Sequence, residues 1–109
     1  MKSPIPIRCI RVVTEALDGA YPNDKRSAVI LAVFEEFFQT RPPLRDMSLF
    51  AGHTQDHKFT LLLPPELKTH FTCFCAATNY SHSQAFMAIV WAVLAARGVL
   101  KSVPLLLAE

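Results

Sequence analysis

Glycine and charge are both scarce in this sequence. Three glycines stand among 109 residues, and charged residues make up 18% of the chain against 51% hydrophobic. A chain so poor in charge and so rich in apolar side chains is not disordered over most of its length. One so poor in glycine suits a compact helical protein. Its length points to a single domain near the lower end of what folds unaided, so the core must be dense. Cysteine is scarce as well: Cys9, Cys73 and Cys75 cannot all pair within the chain. No charged stretch followed by an apolar core and a cleavage site opens the sequence. Together these point to a reduced, cytoplasmic protein.

Between Thr69 and Ala96 there is no Asp, Glu, Lys or Arg at all. The purely apolar part of that stretch is residues 85–96, whereas a spanning helix needs roughly 20 apolar residues. Asn79 to Gln84 interrupt the approach to it, so a buried core helix and no membrane are expected. A strong charge imbalance is missing too. The net charge is +2 with a pI near 8.6, which permits an anionic partner but gives no basic stripe able to hold one by charge alone.

The patterning is more informative. Phe59, Leu61 and Leu63 alternate with Lys58, Thr60 and Leu62, as on the two faces of a short strand. Pro64 and Pro65 end that strand, and a helix is expected from Pro65, where a missing N–H costs nothing. Leu67, Phe71, Phe74 and Cys75 follow at helical spacing, and Asn79 suits the left-handed residue that closes a helix near Thr78. Ser81-His82-Ser83-Gln84 reads as a capping box opening a second helix. There Phe86, Ile89, Val90, Val93 and Leu94 repeat every three or four positions, and Gly98 is the expected stop. Met87 and Trp91 spread the apolar surface beyond one stripe, so this helix must be buried on most sides.

Upstream, Ser27, Val29, Ile30, Val33, Phe34, Phe37 and Phe38 give another helix, for which Asn23 and Asp24 are the expected caps. Ala16, Leu17, Ala20 and Tyr21 suggest a shorter helix ended by Pro22 and Asn23. The strand ahead of it has two possible placements. Either it covers Ser3 to Cys9, with Pro4, Pro6 and Arg8 facing out, or it runs from Pro6 to Val12. The first is preferred, because Ile10, Val13 and Leu17 then share one helical face. The order strand, helix, helix thus occurs twice, an internal repeat of about 50 residues. The first copy is assigned to residues 3–40, a connector to 41–56, the second copy to 57–99 and an apolar tail to 100–109, all within one domain.

The run from Lys58 through Pro64, Pro65, Glu66 and Leu67, followed by a helix, the Asn79-Tyr80-Ser81-His82-Ser83 turn and an apolar helix, resembles the ribbon-helix-helix superfamily of MetJ and Arc type repressors. With both copies in one chain, it is similar to the single-chain pseudo-dimers of conjugative DNA processing. The resemblance implies a mainly α fold with a two-stranded antiparallel β-ribbon, two ribbon-helix-helix copies forming a pseudo-dimer. It implies a non-enzymatic partner of double-stranded DNA, acting as a transcriptional repressor or as an accessory factor in plasmid transfer or maintenance. In that family the ribbon enters the major groove and its outward side chains touch base edges. Carried over, the base-contacting residues are Arg8, Lys58, Thr60 and Leu62. The start of the second helix meets a phosphate, which implies Ser81, His82 and Ser83, and by analogy Lys25, Arg26 and Ser27. Leu62 stands where a polar reader is common, and Pro4 and Pro6 offer no donor.

The plainer expectations stand beside these. Lys58 and Thr60 also fit the solvated face of an ordinary strand. Cys73 and Cys75 lie about 200° apart on a helix and cannot share one ion, so no metal or other cofactor is expected and the thiols are read as core residues. Ser81 and Ser83 have no acidic neighbour or glycine elbow to make a nucleophile of either. The apolar tail Val103, Leu105, Leu106 and Leu107 either packs on the core or contacts itself or another protein. A protein-interaction scaffold of antitoxin type is the alternative function.

Overall fold

A computed structural model describes residues 3–44 and 57–97. The chain is mostly helical with a two-stranded antiparallel sheet. In order, the elements are β1 (Ser3–Cys9), α1 (Arg11–Ala20), α2 (Arg26–Thr40), β2 (His57–Leu63), α3 (Pro65–Thr78) and α4 (His82–Ala96). Of the two placements for the first strand, the one covering Ser3 to Cys9 is observed. The proposed stop at Gly98, the tail and most of the connector lie outside the described residues.

The strands pair with Pro6 opposite Thr60 at the centre, Arg8 opposite Lys58 towards one end and Pro4 opposite Leu62 towards the other. The two prolines fit because an antiparallel ladder alternates between pairs that exchange hydrogen bonds and pairs that do not. The Arg8 N–H points away from β2 and donates to Ser83 Oγ at 2.8 Å. Pro4 and Pro6 share the parity of Arg8 along the strand. The N–H each lacks would therefore have faced outward, and the ladder loses nothing.

Ile5, Ile7 and Cys9 from β1, with Leu61 and Leu63 from β2, point inward and are buried, while Phe59 is half-buried. They rest on α4, which also packs against α1, α2 and α3. Every residue from Ala85 to Leu94 is buried, as its all-round apolar pattern requires. The ring of Phe34 on α2 lies 5.4 Å from Phe71 on α3 and 5.9 Å from Phe86 on α4, and Phe86 is 5.1 Å from Phe59 on β2. Ile10, the N-cap of α1, and Val13 and Leu17 on its inner face are all buried.

The ends of the helices are set locally. Ser81 Oγ accepts the Gln84 N–H at 3.1 Å and Gln84 Oε1 accepts the Ser81 N–H at 3.0 Å, closing the expected capping box. Asn79 ends α3 in the left-handed region at φ 64°, and Arg41 does the same for α2 at φ 49°, ahead of Pro42 and Pro43. Two expectations need correction. Asn23 and Asp24 do not cap α2: the Asp24 N–H donates to the Tyr21 carbonyl in a preceding turn, and the N-cap is Lys25, with no side-chain cap bond. Nor are all three thiols in the core. Cys9 is buried and Cys75 half-buried, but Cys73 is exposed, because α3 presents that face to solvent. Burial pushes the Cys9 thiol up to about 12 and raises that of Cys75.

Because β1 and β2 are joined within one chain, the fold is expected to form without a second copy. Thermal unfolding should then have the same midpoint across a wide range of protein concentration. A midpoint that climbs steadily with concentration would mean that folding is coupled to association.

Candidate nucleic-acid interface

The outward face of the ribbon gathers Pro4, Pro6, Arg8, Lys58, Thr60 and Leu62, all exposed. Leu62 is 50% exposed, an aliphatic side chain held in solvent. Arg8 and Lys58 stand directly across from one another, and neither forms an ion pair among the described residues. Like charges opposed on a ribbon destabilise it. Placed at an exposed end, they offer two free cations to an anionic partner.

The two helix starts flank this face differently. At the cationic end, Ser81 and His82 are exposed at the beginning of α4, and Ser83 is half-buried with its Oγ already accepting the Arg8 N–H. That bond ties the ribbon edge to the helix and leaves the Ser83 hydroxyl proton free to donate. The His82 ring leans on Phe71, with centroids 5.8 Å apart. At the opposite end, Lys25 and Ser27 are exposed at the start of α2. Arg26 is engaged by Asp18 of α1, its Nε donating to Oδ1 at 3.0 Å and its Nη2 closing an ion pair with Oδ2. This hydrogen bond pushes the Arg26 pKa above its ordinary value. Its charge is therefore partly balanced within the fold, whereas Lys25 forms no ion pair among the described residues.

A groove of about 220 Å³ runs between β2 and α2, lined by Ile30, Ser27 and Arg26 on the helix and by Thr60 and Leu62 on the strand. Sequence reasoning missed this groove, the Arg8–Ser83 bond and the Arg97–Glu36 ion pair, since each joins residues far apart in the chain. On the far side of the molecule Arg97 lies 5.3 Å over the Tyr21 ring and forms an ion pair with Glu36, fastening α4 to α2 beside α1. Among the described residues no group of His, Cys, Asp or Glu is arranged to hold a metal ion, and no helix is long and apolar enough to cross a membrane. Compared with known protein families, with curated proteins and with solved structures, the chain matches none.

Proposed function

We propose that the chain is a ribbon-helix-helix protein, both copies carried on one polypeptide as a pseudo-dimer, that binds double-stranded DNA without catalysing a reaction. The β1–β2 ribbon lies in the major groove, where Arg8, Lys58, Thr60 and Leu62 meet base edges. The starts of α2 and α4, with Lys25, Arg26, Ser27, Ser81, His82 and Ser83, meet the sugar-phosphate backbone on either side. Its role is that of a repressor or of an accessory factor in plasmid transfer or maintenance.

The observation that carries this reading is Arg8 and Lys58, opposed on the outer face of a ribbon whose other face is core and without an ion pair among the described residues. Such a pair weakens a free protein and is stabilised by a polyanion. The repeated strand-helix-helix order and the antiparallel pairing of the two strands support it independently.

Fluorescence anisotropy of random duplex at low and moderate salt tests the proposal. Affinity should fall steeply as salt rises, from counterion release. Lys58→Ala or Thr60→Ala should cost about 1–3 kcal/mol on a preferred site and much less on random duplex. If both variants fold and bind every duplex as the parent does, the ribbon does not read DNA. The exposed ribbon face then belongs to a protein-interaction scaffold.

A further inference from the structure

The ribbon is chemically polarised along its length. The pair Pro6 and Thr60 marks its centre, and positions equally distant from that centre are not equivalent. At one end Arg8 faces Lys58, two cations; at the other Pro4 faces Leu62, two apolar side chains. A ribbon made from two identical strands would present the same residues at both ends and would suit a palindrome. This one cannot.

The surroundings differ in the same sense. At the cationic end the ribbon edge is pinned to α4 by the bond from the Arg8 N–H to Ser83 Oγ. At the apolar end Leu62 stands beside the groove of about 220 Å³, where Ile30 supplies an aliphatic wall and Thr60 borders the centre. In the major groove arginine and lysine match the O6 and N7 acceptors of guanine, whereas aliphatic side chains contact the thymine methyl. Thr60, which donates, accepts and carries a methyl, suits either kind of pair at the centre.

We propose that the chain takes a non-palindromic duplex site in one fixed orientation, with guanine against Arg8 and Lys58 in one half and thymine against Pro4 and Leu62 in the other. This rests on the duplex-binding reading above. It adds what that reading leaves open, namely the base class in each half and the lack of dyad symmetry.

Selection of preferred sites from a random duplex library by the full chain tests it. The recovered motif should lack two-fold symmetry, with guanine on one side and thymine on the other. Arg8→Ala should flatten the preference in the guanine half only, and Leu62→Ala in the thymine half only. Replacing thymine by uracil in that half removes the methyl group alone. It should weaken the parent by roughly three- to fivefold, the effect of one buried methyl group, and leave Leu62→Ala unaffected. Leu62 is exposed, so its variant is expected to fold, which circular dichroism checks. A palindromic motif, or a duplex indifferent to uracil, overturns this inference while leaving DNA binding intact. Retention of no duplex at all overturns the duplex-binding reading beneath it.

Discussion

Phe34→Ala should destabilise the protein by about 3–5 kcal/mol, the cost of emptying a fully buried aromatic site. Phe34 has no exposed surface, and its ring joins α2 to α3 through Phe71 and to α4 through Phe86. Aromatic pairs of this kind add about 0.5–1.5 kcal/mol beyond the area they bury, so the loss belongs at the upper part of that range. A domain of this size has a total stability of about 5–15 kcal/mol, so a large share of the margin goes. Urea unfolding followed by circular dichroism should show the midpoint falling by at least about 1 M. Phe38→Ala is the comparison. Its side chain is only half-buried, beside His70 and under the Arg41 guanidinium, and its loss should cost distinctly less. Equal effects from the two substitutions would mean that the core is not centred where α2, α3 and α4 meet.

That centre was legible in the sequence because its signals are local. The alternation at residues 58–63 survives as a strand with one buried face. Pro65 opens α3, Asn79 closes it and Ser81 with Gln84 opens α4, each through a contact spanning at most four residues. The unbroken burial of α4 from Ala85 to Leu94 followed from an apolar pattern too wide for one face. The cap of α2 was misread for a physical reason. Asn23 and Asp24 have the right chemistry for a cap, but the turn from Tyr21 to Asp24, closed by the Asp24 N–H, comes first, so Lys25 is the N-cap and the helix starts at Arg26. Cys73 was misplaced because helical spacing separates it from Cys75 without saying which of the two faces inward.

What no local pattern holds is the relation between the two halves. The bond from Arg8 to Ser83 joins residues 75 positions apart, and the ion pair from Arg97 to Glu36 spans 61. The strand register is of the same kind. Reading Arg8 as outward takes only the period of its own strand. Finding Lys58 opposite it, and Leu62 opposite Pro4, takes the folded ribbon.

His82→Glu should move stability and DNA affinity in opposite directions. His82 is the first residue of α4 after its cap, and it is exposed. A helix start carries partial positive charge, so a carboxylate there favours the helix by about 0.3–1 kcal/mol. If the same helix end faces a phosphate, that carboxylate repels it. At a separation of several ångströms near a protein surface, the penalty is on the order of tenfold in affinity. Phosphates are common to every duplex, so preferred and random sequences should lose equally, unlike the selective loss at Lys58. The reference is His82→Gln, which also removes the ring resting on Phe71 but adds no charge. Against it, the Glu variant should melt at the same temperature or higher, bind all duplexes more weakly, and recover part of the difference as salt screens the repulsion. A frayed helix gives a different signature, with stability and binding falling together. Should the Glu and Gln variants bind alike at low salt, the start of α4 does not face the DNA backbone, and the ribbon must be held against its partner by another surface.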